Sequence, residues 1–250
     1  MLRPVDSTEQ NRTTYDALWP RLSDFIRYNP GARHRRRHII AFLDRLRFAT
    51  LLDVGCGDAS LLRLVDARFS GRKLAGVDLS SVVVEQNRAA LSHMEFAVAD
   101  VSSDALPSGF DVVLCTEVLE HLPEPARALA SIAAAVVRGG HVVITTPTGK
   151  VHATERYFGH TRHPTRNELA LLAEGAGLDV LELSAWGFPA YALTKWATNL
   201  RPEAALRRFG GGRAYGAVER GISDALWLAN FANLPSSPFG VQLFALLRRR

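Results

Sequence analysis

Apolar positions in this chain alternate between short solid runs and stretches where they recur every three or four residues, a pattern that predicts strand, helix, strand, helix along most of its length. Leu51-Leu52-Asp53-Val54 is the first run and stops at the glycine pair of Gly55-Cys56-Gly57. A helix from Ala59 to Phe69 follows, then a second strand at Leu74–Asp78, a helix capped by Ser80 that runs through Val84 to Leu91, and a third strand, Met94–Ala99, ending at Asp100. Phe110–Cys115 predicts a fourth strand, Pro125–Val137 a helix closed by Gly139-Gly140, and His141–Thr146 a fifth strand with a turn at Pro147-Thr148-Gly149. A helix from Thr165 to Ala176, stopped by Gly177, leads to strand six at Asp179–Trp186, and Val241–Leu247 is strand seven, ahead of Arg248-Arg249-Arg250. Strands joined by helical crossovers imply an α/β fold with a largely parallel sheet.

Two regions fall outside this alternation. Residues 12 to 28 place Tyr15, Leu18, Trp19, Leu22, Phe25 and Ile26 at helical spacing, ended by Asn29-Pro30-Gly31. A second helix through Ile39, Ile40, Phe42, Leu43 and Leu46 leads into strand one, so residues 1–48 read as an N-terminal helical segment before a domain at 49–250. Between strands six and seven, about residues 187–240 form a long insertion where a hairpin would suffice. Its Phe188, Tyr191, Trp196, Phe209, Tyr215, Trp227 and Phe231, with helical spacing through Val218, Ile222, Leu226 and Ala229, predict a helical cap hinged at Gly210-Gly211-Gly212.

A 250-residue chain with 47% hydrophobic residues has the material for one α/β domain with a modest elaboration. Its two cysteines, Cys56 and Cys115, make no disulfide framework and suit a reducing compartment. The start Met1-Leu2-Arg3-Pro4-Val5-Asp6 lacks the layout of a signal peptide, and no apolar run nears the roughly 20 residues of a membrane span. A cytoplasmic location is expected. The net charge of +5 gathers partly at Arg33-His34-Arg35-Arg36-Arg37-His38, read as a solvated helix start rather than a nucleic-acid contact, since no nucleic-acid-binding motif accompanies it.

Chemistry enters at the glycine turn. Relative to the dinucleotide pattern G-x-G-x-x-G, the third glycine is Ser60, and the strand ends in Asp53, which would repel a pyrophosphate and suits a cationic ligand. Asp78 lies about 25 residues further on, close to the spacing at which an acid accepts from ribose hydroxyls, and Asp100 makes a third successive strand end in an acid. Together they point to an adenosine-type ligand. Asp53-Val54-Gly55-Cys56-Gly57 resembles the D-x-G-x-G signature of class I S-adenosylmethionine-dependent methyltransferases, and the likeness runs from about residue 45 to 185 and includes the final strand. The resemblance is to the small-molecule enzymes similar to the ubiquinone-pathway O-methyltransferases. It implies a Rossmann-like seven-stranded sheet, mostly parallel with the last strand antiparallel, helices on both faces and a helical cap. It also implies S-adenosylmethionine as cofactor and S-adenosylhomocysteine as product, held by Asp53, Gly55, Cys56, Gly57, Asp78, Leu79, Asp100, Val101, Thr116 and Tyr15, with Arg33 or Arg35 at the cofactor carboxylate.

Methyl transfer to oxygen needs alignment, exclusion of water and, for a hydroxyl acceptor, a group to take the proton. His121, in the loop after strand four, and His160 and His163, in the loop at 150–164, are the candidates. No metal is expected. A competing reading joins Glu117, Glu120 and His121 with His160 or His163 as a divalent-metal set, resembling the metal-dependent small-RNA 2′-O-methyltransferases. A nicotinamide-dependent dehydrogenase is disfavoured by Asp53 and Ser60, and a noncatalytic adenosine-ligand-binding protein is the remaining alternative. The expected partners are a small-molecule acceptor, walled by Trp186, Phe188 and Tyr191, and a second copy in a homodimer, with nucleic acid not expected. The cap helices do not read as one-sided enough to favour a membrane surface.

Overall fold

The structure is a computed structural model and describes residues 12, 13, 15–17, 19, 22–209 and 214–250. Seven strands, β1 (Thr50–Val54), β2 (Lys73–Asp78), β3 (Glu95–Val98), β4 (Phe110–Thr116), β5 (Val136–Pro147), β6 (Leu178–Trp186) and β7 (Gln242–Arg249), form one sheet in the order β3-β2-β1-β4-β5-β7-β6. The first five strands run parallel, and β7 is antiparallel to both of its neighbours. This is the expected Rossmann-like sheet. Successive side chains of a strand point to opposite faces, so Leu51 and Leu52 feed different cores. On one face Leu52, Val113 and Ile144 pack under α5 (Pro125–Ala135) and α7 (Arg166–Gly175). On the other, Leu51, Leu114 and Val143 pack under α2 (Pro30–Leu43), α3 (Ser60–Arg68) and α4 (Ser81–Ala90). A sheet covered on both faces explains the solid apolar runs. The chain turns one way from β1 to β3 and the other way from β4, and a crevice opens at the carboxyl ends of the strands where that reversal occurs.

Helix α1 (Ser23–Tyr28) precedes α2, the short α6 (Ala153–Tyr157) lies in the loop after β5, and α8 (Ala190–Leu200), α9 (Pro202–Phe209) and α10 (Ala217–Ala229) lie between β6 and β7. The helix expected over residues 12 to 28 is interrupted: Trp19 sits in a tight 3-10 turn ahead of α1. Leu18, Met1–Asp6 and the expected hinge at Gly210–Gly212 lie outside the described residues. The helix expected to reach Val137 stops at Ala135, because Val136 pairs with Phe110 and already belongs to β5. Gly139 and Gly140 therefore lie inside a strand, beside an irregularity of register, where a Cβ on Gly140 would meet the Asp111 carbonyl.

The cluster at Arg33–His38 is not the solvated helix start expected from its composition. His34 is buried, its Nε2 bonded to the Trp227 carbonyl at 2.9 Å and its ring stacked on Trp186. Arg33 pairs with Asp224 at 2.6 Å and lies over Trp227, and Arg36 donates to the Ile26 carbonyl at 3.1 Å. Packing of α2 against α10 and the helix Ser23–Tyr28 absorbs these side chains, which a one-dimensional charge count does not reveal. Among the described residues no helix is long and apolar enough to cross a membrane.

Candidate functional site

A cavity of about 520 Å3 occupies the crevice. Its floor is the turn after β1, where Gly55 (φ 72°), Gly57 (φ 51°) and Ala59 (φ 56°) take left-handed backbone, a conformation that favours glycine at the first two. The turn is pinned from several sides. The Gly55 and Cys56 amides donate to the Val77 carbonyl, the Gly57 amide donates to Asp78 Oδ2 at 2.9 Å, and Asn87 donates to the Gly57 carbonyl at 2.7 Å. The missing Cβ atoms also admit protein side chains, since one on Gly55 would strike Val118 and one on Gly57 the Trp19 ring. The glycines thus serve close packing, Gly55 against the loop after β4 and Gly57 against the N-terminal segment.

The three acids at the ends of the first three strands all reach the cavity wall, together with Leu79, Val101 and Thr116. Their states differ. Asp78 accepts from the Gly57 and Ser80 amides, both at 2.9 Å, and burial raises its carboxyl nonetheless. Asp100 accepts from the Ser102 amide at 2.8 Å. Asp53 is buried with Oδ1 unpartnered, and burial, reinforced by Asp78 and Asp58, pushes its carboxyl up to about 8. An orphaned buried carboxylate oxygen beside a glycine turn fits a ligand that brings positive charge and N–H donors, as the methionyl part of S-adenosylmethionine does. Cys56 belongs to the wall through the turn, and its thiol faces Gly76 and Asn87.

Opposite the strand ends stands the histidine group. Tyr15 Oη donates to the Phe158 carbonyl at 3.0 Å and lies 3.2 Å from His121 Nε2. His121 packs edge-on against His160, and His160 Nδ1 is 3.0 Å from His163 Nε2. Tyr15, His121 and His160 line the cavity, whereas His163 lies behind His160. Burial pushes His121 down to about 4, partly opposed by its bond to the Gly159 carbonyl and by Glu117, and burial lowers His160 and His163 as well. All three imidazoles are therefore neutral at pH 7.

Glu117 and Glu120 diverge. Glu117 accepts from Thr145 at 3.0 Å and Gln242 at 2.7 Å and faces Arg35 at 3.4 Å. Glu120 is fully buried, accepts from Thr146 at 3.0 Å, leaves Oε1 unpartnered, and is raised well above the carboxylate range by burial and by Glu117. Among the described residues two sets bring ligand atoms within 4.8 Å of one another, Glu120–His121–His160 and Glu155–His160–His163. Glu117 belongs to neither.

Further parts of the wall come from α1, α2, α6, α8, α9 and α10. Arg35 reaches the cavity, while Arg33 is spent on Asp224. Of the three aromatics expected to wall an acceptor, Tyr191 lines the cavity; Trp186 is buried between His34, His38 and Phe244, and Phe188 packs on Phe239. Leaving β6, the chain carries the first two away from the crevice. Residues not singled out from sequence include Arg36, Gln242, Glu155 and Lys195, the last two joined at 2.6 Å. The spacing of Tyr191, Thr194, Lys195 and Thr198 on one face of α8 is the signal that could have found Lys195.

The model of a family described as a methyltransferase domain matches residues 31–183. The ubiquinone biosynthesis O-methyltransferase of Alkalilimnicola ehrlichii is 34% identical over 118 residues, 45% of this chain and 47% of that protein. The chain spans about half the length of the curated relatives it matches. Among solved structures, the [4+2]-cyclase SpnF aligns over 99% of this chain and 98% of its own at 19% identity, with a TM-score of 0.67. The N-methyltransferase NodS from Bradyrhizobium japonicum, in complex with S-adenosyl-l-homocysteine, aligns over 96% and 98% at 16% identity, with a TM-score of 0.58. At such identities the two structures speak for the fold.

Proposed function

The chain belongs to the class I S-adenosylmethionine-dependent methyltransferases, and from that premise we propose that it methylates an oxygen of a small organic acceptor. The observation that carries this reading is the single cavity uniting Asp53, Asp78 and Asp100 with Tyr15, His121 and the inner face of α8. S-adenosylmethionine, when bound, supplies an electrophilic methyl group on a sulfonium. Asp53, with its orphaned oxygen, would hold the cationic part of the cofactor, Asp78 would accept from its ribose hydroxyls, and Asp100 and Val101 would lie at its base. Transfer of that methyl to an acceptor hydroxyl would require the residues around it to align the acceptor oxygen and to take up its proton. His121 is neutral and hydrogen-bonded within the wall, so it can accept from the acceptor hydroxyl and orient it; burial makes it a weaker base than a free imidazole, and Glu117 acts in the opposite direction by favouring the imidazolium. Tyr15, Trp19, Phe158 and Tyr191 exclude water. The relatives named as O-methyltransferases support oxygen as the methylated atom.

The test is release of S-adenosylhomocysteine with a panel of phenols, hydroxy acids and alcohols. Turnover with a hydroxyl compound and none with its O-methyl ether supports the reading. Tight cofactor binding without turnover on any acceptor would favour the noncatalytic binder.

A second reading is favoured by the convergence of Glu120, His121 and His160, with Glu120 Oε1 unpartnered. A divalent cation held there would engage vicinal hydroxyls of the acceptor. Loss of activity on chelation and its return with a divalent ion would establish it; turnover unaffected by chelator leaves the metal-free reading in place.

A further inference from the structure

Helix α8 is built inside out. Tyr191, Thr194, Lys195 and Thr198 share the face that lines the cavity, where Thr154 bonds Asn199 and the Lys195 side chain, 12% exposed, is tied to Glu155. Leu193, Trp196 and Leu200 share the opposite face and stand in solvent. A helix that puts its polar residues inward and its leucines and tryptophan outward requires an apolar neighbour on the outside.

The patch extends beyond one helix. The segment after α10 is fastened beside the start of α8 by the Leu234 amide to the Phe188 carbonyl at 2.8 Å, the Tyr191 amide to Asn233 at 3.1 Å, and the Phe188–Phe239 ring contact. It adds Phe231, Leu234 and Phe239, the end of α10 adds Leu228, and the seven outward side chains are between 48% and 67% exposed. Residues 187–200 and 225–240 together hold one charged residue, the inward-facing Lys195. Charge returns at the rim: Arg37 lies over Phe231 and Arg201 follows Leu200, whereas Arg207 and Arg208, in the last turn of α9, are paired with Glu203 and, at 3.2 Å, with Glu219. The acids nearby are matched, Asp224 by Arg33 at 2.6 Å and Glu203 by Arg207 at 3.7 Å.

The geometry points to an anionic bilayer surface as the occupant of this patch. A charge-free apolar plate with an outward tryptophan and a cationic rim suits the boundary between acyl chains and acidic headgroups, and the chain carries a net charge of +5. No described helix spans a bilayer, so the contact is interfacial. A second copy seated on the same patch would bring two cationic rims together. Docking this way places α8 between the lipid and the cavity.

The proposal is independent of the catalytic reading, since the test reads partition and not turnover. The full chain is sedimented with phosphatidylcholine vesicles with and without phosphatidylglycerol. Partition to the anionic vesicles is expected, weaker on neutral vesicles and reduced by salt. Leu193→Ser with Trp196→Ser, and separately Leu193→Glu with Trp196→Glu, should weaken partition at least about tenfold. Unchanged binding of S-adenosylhomocysteine and an unchanged melting curve report that the variants are folded. Absence of partition, equal partition to both vesicles, or variants that partition as the parent does would each overturn the proposal. So would a dimer, seen by sedimentation velocity, that the same substitutions convert to monomer, which would assign the patch to a second copy.

Discussion

A buried carboxylate with an unpartnered oxygen destabilises the fold that contains it, and Asp53 carries that cost at the turn where the cofactor is proposed to sit. Its folded pKa of about 8 lies above its ordinary 3.8, so the folded state holds the proton more tightly than the unfolded state. Its contribution is favourable below pH 4 and is lost as pH rises toward 8. In the ligand-free protein Asp53→Asn should therefore flatten the fall in unfolding free energy between pH 5 and 8, by an amount on the order of 2 kcal/mol, while weakening cofactor affinity. Urea melts at the two pH values, with calorimetry on S-adenosylhomocysteine, check both signs; a variant with the parent's pH slope would show that Asp53 does not titrate in this range. Asp78 should behave differently, because its oxygens already accept from the Gly57 and Ser80 amides. Asp78→Ala should cost about 1 to 3 kcal/mol in cofactor affinity and also lower thermal stability by freeing the glycine turn. Unchanged affinity by calorimetry would remove Asp78 from the site. Residue type and spacing made these acids visible in the sequence. That Asp78 braces the turn while Asp53 Oδ1 is left unpartnered was not visible, because the Gly57 amide reaches Asp78 from the loop after a different strand.

At the scale of elements, what the pattern of apolar positions shows best is the sheet, since strands buried on both faces must read as solid runs. It shows poorly where a helix lies relative to its neighbours. The basic run in α2 reads as solvent-facing until α10 is docked on it, and α8 reads as an ordinary apolar helix until its faces are assigned. The docking of α2 has a consequence for acid stability. His38 lies against Trp186 and Phe244, and burial, aided by Arg37 and His34, pushes it down to about 4 from its ordinary 6.5. Its neutral form is thus favoured in the folded state, so its contribution is present above pH 6.5 and is lost as pH falls toward 4. His34 is lowered by burial in the same direction. His38→Leu should reduce the drop in unfolding free energy between pH 7 and pH 5 by about 1 to 2 kcal/mol, the partial exposure of the ring keeping it below the full linkage value. Chemical denaturation at the two pH values measures it, and an unaltered drop would place the acid lability elsewhere.

For the whole molecule, the cavity depends on how the helices between β6 and β7 are held over the sheet, and the connection can be followed atom by atom. Asn199 on α8 accepts from the Thr154 amide and hydroxyl, both at 3.1 Å, and Lys195 pairs with Glu155. That loop returns through Thr161, which donates its amide and hydroxyl to the Glu120 carbonyl, while the Glu120 side chain is held by Thr146 of β5. The path runs past His121 and His160 but does not touch the Asp53, Asp78 and Asp100 end of the cavity. Loosening α8 should therefore change the acceptor side more than the cofactor side. Lys195 is a poor place to cut, because its loss strands Glu155 as a nearly buried charge. Asn199→Ala removes three neutral hydrogen bonds, the two from Thr154 and the one that its Nδ2 donates to the Lys195 carbonyl at 2.9 Å, each worth about 1 kcal/mol, without leaving a charge behind. The expected outcome is faster amide hydrogen exchange in residues 190–200 and 153–157, a KM for the acceptor raised about fivefold to tenfold, and a cofactor Kd within about twofold of the parent. Equal weakening of cofactor and acceptor would mean that the cavity responds as one rigid unit, and that α8 does not govern the acceptor end.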